Sequence, residues 1–125
     1  MKLSELIAIR KALPMDATKA SIQTRFKIVR FLKATETDAE FYENEASKII
    51  ADCAEKDEKN QILHNESGIP IAEDKKELFI SRMAELDNTK ANCPKLRLSM
   101  DEADKLELSV EKLLVLNDFI KETEE

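Results

Sequence analysis

Glycine is nearly missing from this chain: there is one, Gly68, in 125 residues, alongside three prolines, one tyrosine, one histidine and no tryptophan. A phosphate-cradling loop needs glycines where the backbone closes on the ligand, and no GxGxxG or P-loop pattern occurs here. With His64 alone a two-histidine metal site cannot be assembled, no sequence pattern pairs it with a nucleophile, and GxSxG and HExxH are absent too. Cys53 and Cys93 stand forty residues apart without a second ligand at metal spacing beside either, so both read as reduced thiols of a cytosolic protein. No apolar run approaches the eighteen or so residues of a membrane span, and the opening MKLSELIAIRKALP lacks the apolar stretch and small-residue cleavage site of a secretory leader. A soluble protein with no cofactor, no metal and no catalytic residue is therefore expected.

The composition is 42% apolar, 37% charged and only 5% aromatic. Ala, Leu, Glu and Lys are strong helix formers, and long helices with aliphatic seams and solvated faces have this profile. Charge is unevenly placed. Residues 1–33 carry eight Lys and Arg against Glu5 and Asp16, whereas the other 92 hold twelve against twenty-four acidic groups. Opposite ends of one chain, or of two copies, would attract over the ~10 Å screening length.

Apolar spacing organises the chain into a mainly α fold in a single domain, 1–125. Residues 1–13 form a short helix, with Ser4 offering a cap and Pro14 a stop, and Asp16 offers the next cap. Ile22, Phe26, Val29, Leu32, Thr35, Ala39, Tyr42, Ala46, Ile49 and Cys53 then recur every three or four residues, which predicts one helix over 16–56. Forty residues at 1.5 Å each make a rod of roughly 60 Å, longer than a compact domain of this size, so part of it should meet another chain. Asn60 reads as its left-handed C-cap. β-Branched residues around Gly68 predict a β-hairpin over 61–72. Asp74 with Glu77 reads as a capping box for a return helix over 75–91, with Met83 and Leu86 against Ala46 and Ile49 in a coiled-coil-like helical hairpin. An extended piece and short helices opened by Ser99 with Glu102 and by Ser109 fill 95–121. There the cluster Leu113, Leu114, Leu116, Phe119 and Ile120 is expected to pack on Ile22, Phe26 and Val29, bringing acidic residues 118–125 near Arg25 and Arg30.

Nothing in this pattern is an enzyme. Interaction through the helical seam is expected instead, carried by Ile22, Phe26, Val29, Leu32, Tyr42 and Ile49 with Leu113, Leu116 and Phe119, and a homo-oligomer follows. An acidic surface at Glu36, Asp38, Glu40 and Glu43 is the second candidate, suited to blocking a nucleic-acid-binding protein. Direct nucleic-acid binding rests only on Lys19, Arg25, Lys27, Arg30 and Lys33 interleaved with Phe26 and Phe31, and the overall acidity opposes it.

Tyr42, Glu45, Lys48, Ile49 and Ile50, then Lys56, Asp57 and Glu58, and finally Leu113, Leu116, Phe119 and Ile120 follow an order of the form YExExxKII, KDExG and LxxLxPFI. In this the chain resembles a family of small proteins of unknown function encoded by tailed bacteriophages and prophages. It departs from that pattern at Cys53, usually tyrosine, at Asn60, usually glycine, and at Asp118, usually proline. The resemblance implies the host cytoplasm or the virion and a protein partner, either the protein itself or another phage or host protein. It brings no catalytic residues.

Overall fold

The computed structural model of the chain describes residues 1–14, 18–66 and 68–121; the cap expected at Asp16 lies outside them. The fold is mainly helical. Helix α1 (Leu3–Ala12) is followed by α2 (Ile22–Ala34), α3 (Glu36–Cys53), a short 3-10 turn (Glu73–Lys75), α4 (Lys76–Asp87), α5 (Met100–Lys105) and α6 (Val110–Val115). Two-residue strands β1 (Leu98–Ser99) and β2 (Ile120–Lys121) pair in parallel, Leu98 opposite Ile120.

Residues 16–56 are not one helix. Residues 18–21 precede α2, and the chain breaks again at Thr35. The backbone ladder runs up to the bond from the Thr35 N–H to the Phe31 carbonyl and resumes with Ala39 N–H to the Thr35 carbonyl. Between them the Leu32 carbonyl accepts from the Arg10 guanidinium at 2.7 Å, and the same Nη1 donates to the Thr35 hydroxyl at 2.6 Å. That hydroxyl in turn donates to the Phe31 carbonyl at 2.9 Å. A threonine bonded back to the preceding turn, with a foreign donor inserted into the ladder, is a physical cause of a break that needs neither Gly nor Pro.

The break folds the rod back on its own chain. Leu3, Leu6 and Ile9 of α1 lie in one core with Ile28 and Phe31 of α2, Ile49 and Cys53 of α3, Leu86 of α4, and Leu98, Leu106 and Leu116 beyond. The start of α1 is held from outside: Leu3 N–H donates to the Thr89 carbonyl and Ala91 N–H to that of Met1. Its first turn is closed by Glu5 accepting the Lys2 N–H at 3.1 Å, so Ser4 is not the cap. Helix α4 lies along α3 in the opposite sense. Tyr42 near the start of α3 donates to Asp87 at the end of α4, and Asp52 near the end of α3 meets Arg82 of α4.

Among the described residues, the β-hairpin expected over 61–72 is reduced to one antiparallel bridge, Asn65 with Gly68. Helix α3 stops at Cys53, and residues 54–56 run extended between two neighbours, Ala54 bridging Ile71 and Lys56 bridging Ile62. The runs on either side of Gly68 therefore bond to this third segment, leaving only the Asn65 and Gly68 bridge between themselves. Asn60 is left-handed, φ 64°, but it serves the turn at Asp57, whose carboxylate accepts from Lys59 and Gln61, and not the helix end. The capping box at Asp74 and Glu77 does not form, because a 3-10 turn leads into α4 at Lys75. Ser99 with Glu102 does make one, and Ser109 caps α6.

Arg10→Met, which keeps the apolar stem and removes both guanidinium bonds, is expected to cost about 2 kcal/mol in urea unfolding. The exposed neighbour Lys11→Met is expected to change stability by less than about 0.5 kcal/mol.

Candidate interaction surface

Helix α2 is apolar on two sides. Its inward stripe is Thr24, Ile28, Phe31 and the junction residue Thr35, all buried. At 3.6 residues per turn, Ile22, Phe26 and Val29 lie about 150° round the helix from that stripe. They are 76%, 58% and 49% exposed, so they meet no core. A helix with apolar residues on opposite sides has one side awaiting cover. The rim of this outer side is basic: Arg25, Arg30 and Lys33 stand there, and residues 22–34 hold no carboxylate. Arg30 holds its guanidinium carbon 5.3 Å from the centre of the Phe26 ring, a cation–π contact along one turn of helix.

The outer side continues into a groove of about 410 Å³ where α1, α2 and α3 converge, lined by Ile7, Val29, Leu32 and Ala39 and edged by Arg10 and Glu43. Leu32 thus turns from the exposed ridge into a half-buried wall.

The other residues singled out from sequence are divided among different tasks. Ile49 and Leu116 are core. Tyr42 is half-buried and spends its hydroxyl on Asp87 at 2.8 Å; burial and that carboxylate raise its pKa. Phe119 meets Phe31 edge to face at 6.1 Å, so the carboxy-terminal cluster packs on the inner side of α2 and on α1, not on Ile22, Phe26 and Val29. Leu113 is partly exposed, and Val110 and Leu114 are each 73% exposed. Glu36, Glu40 and Glu43 share one exposed stripe of α3, while Asp38 is half-buried off that stripe. His64 is exposed.

Glu102, read from sequence as a capping partner of Ser99, also holds a long-range bond that no local pattern points to. Its carboxylate accepts the Thr24 hydroxyl at 2.6 Å, the Lys27 ammonium at 2.8 and 3.1 Å and the Ser99 N–H at 3.1 Å, tying the start of α5 to the inner and lower sides of α2. The capping spacing Ser99 to Glu102 was readable; the seventy-odd residues that separate it from Thr24 were not. Partial burial pushes this carboxyl up, but the bonds from Lys27, Thr24 and Ser99 outweigh it and hold the group at about 2.

Cys53 is buried and Cys93 exposed, and both are free. Among the described residues no group of three His, Cys, Asp or Glu could hold a metal ion, and no helix is long and apolar enough to cross a membrane. No family model, curated protein or solved structure matches the chain.

In the unfolded chain a glutamate titrates near about 4.3. The stability lent by Glu102 is then full above that pH and is lost as the pH falls toward its folded value. Glu102→Gln is expected to cost about 1–3 kcal/mol at neutral pH. The gap to wild type in urea unfolding should close as the pH falls to about 2.

Proposed function

We propose that this chain is a non-enzymatic, phage-encoded interaction or assembly protein that binds proteins, its own kind included, through the outer side of α2. The observation that carries the reading is the exposed row Ile22, Phe26 and Val29, placed on a helix whose other side is already fully used in the core. Three apolar side chains in a row, one of them aromatic under a guanidinium, have the composition of a binding hot spot. Helices α3 and α4 act in this reading as a helical hairpin that stiffens the support, held at its two ends by Tyr42 with Asp87 and by Asp52 with Arg82. The expected seam at Tyr42 and Ile49 is occupied within the chain, so the contact surface contracts to α2 and the groove beside it. The phage origin rests on the resemblance of sequence order.

A second reading has its own observation. Glu36, Glu40 and Glu43 present a one-sided row of carboxylates on α3, and such a row would suit the basic groove of a nucleic-acid-binding host defence protein, making this chain a small acidic inhibitor.

The two readings part in an affinity capture from phage-infected cells. For assembly through α2, the double variant Ile22→Glu, Phe26→Glu is expected to lose the proteins that wild type retains through high salt, with helix content unchanged by circular dichroism. Charge reversal of Glu36, Glu40 and Glu43 should leave capture as it was. The opposite pattern, with salt-sensitive capture lost on charge reversal alone, would establish the acidic inhibitor and sink the α2 reading.

A further inference from the structure

A second apolar face is left uncovered at the other end of the chain. On α6, Val110 and Leu114 are one turn apart and each 73% exposed, with Leu113 beside them at 38%. Leu113 also lines a groove of about 220 Å³, floored by Met100 and Ala103 and edged by Asp104 and Glu107. The surroundings are acidic: residues 100–120 hold six carboxylates and two lysines. Of these carboxylates, Glu102, Glu107 and Asp101 have cation partners, whereas among the described residues Asp104 and Glu111 have none. On α2, Arg25 and Arg30 likewise have no carboxylate partner among the described residues.

We propose that the occupant of the α2 face is the α6 face of a second copy of this chain, joined head to tail. The inference rests on the reading of α2 as a contact surface and supplies its partner. The two surfaces complement each other in both shape and charge. One is an apolar ridge crested by Phe26 with Arg30 over its ring. The other is an apolar groove with carboxylates on its rim, so the ring enters the groove as the guanidinium meets Asp104. The faces cannot meet within one chain, because Ile22, Phe26 and Val29 point away from the core against which α6 packs. A symmetric contact of α2 with α2 is disfavoured, because it would set Arg25, Arg30 and Lys33 of one copy against the same cations of the other. A contact between two different faces leaves one of each free in every dimer, so assembly continues into a ring or an open chain.

The test is sedimentation velocity of the full chain over a concentration series, with wild type, Phe26→Glu and Leu114→Lys. Wild type is expected to grow beyond a dimer with concentration, and its association to weaken at least about tenfold between low salt and 0.5 M salt. Each variant alone should be monomeric, and an equimolar mixture should form a 1:1 dimer and stop, since it contains one intact α2 face and one intact α6 face. If either substitution lowers helix content, Ile22→Glu or Val110→Lys replaces it on the same face. A Leu114→Lys protein that still dimerises overturns the head-to-tail pairing in favour of α2 on α2. Wild type that stays monomeric to millimolar concentration while Phe26→Glu loses another bound protein overturns the second-copy occupant and leaves the α2 surface standing. Assembly that survives Phe26→Glu overturns both.

Discussion

A single guanidinium decides the shape of this protein. Arg10 reaches from α1 into the junction of α2 and α3 and takes the Leu32 carbonyl and the Thr35 hydroxyl at once. Without a donor there, the strongest local preference of residues 22–53 is to continue as one helix, because neither Gly nor Pro interrupts them, although the seam thins to Thr35 and Ala39 between Leu32 and Tyr42. With the break in place, the inner stripe of α2 and the seam of α3 enter one core with α1, Leu86 of α4 and the residues Leu98, Leu106 and Leu116 beyond. A partly buried charge is tolerated because two oxygens meet it, one of them a carbonyl that the break itself releases from the ladder.

This dependence explains what local pattern could and could not reveal. Caps are made by neighbours in sequence, so the roles of Ser99, Glu102 and Ser109 were legible, as was the alternation of Leu96 and Leu98 with Lys95 and Arg97. The break at Thr35 depends on a residue twenty-five positions away, and its one trace in spacing is the thin seam of Thr35 and Ala39 between Leu32 and Tyr42. The choice between the two stripes of α2 misled for a related reason. Ile22, Phe26 and Val29 are the more apolar set, whereas the buried set includes Thr24 and Thr35, whose hydroxyls are acceptable inside only because Glu102, Arg10 and a backbone carbonyl receive or supply their bonds. Hydrophobicity therefore named residues important to a surface while passing over those that bury the helix. Around Gly68 the residue types announced extended backbone correctly, but strand partners are a tertiary matter, and residues 54–56 took the place that a hairpin would have filled.

The uneven distribution of charge becomes intelligible once the elements are placed. Part of the basic excess of α2 is consumed internally, Lys27 by Glu102, and Lys19 just before the helix by Glu107. These pairs lie on the side of α2 that faces α5. The remaining cations flank an apolar row, and the carboxylates of α3 stand on a separate stripe, so the surface is divided into zones of opposite sign. Such zoning disfavours like-to-like contact and gives encounters between unlike zones a preferred orientation.

The position of α1 also bears on how the chain is made. Its buried residues Leu3, Leu6 and Ile9 find their partners in α3, α4 and α6, and its Leu3 N–H donates to the Thr89 carbonyl in the segment after α4. Ribosomal synthesis proceeds from the amino terminus at about 5–20 residues per second. Helix α1 is made before these partners and is thus fully enclosed only once Leu116 has emerged, about 5–20 s later at that rate, and a nascent chain halted before α6 would expose the centre of the finished core.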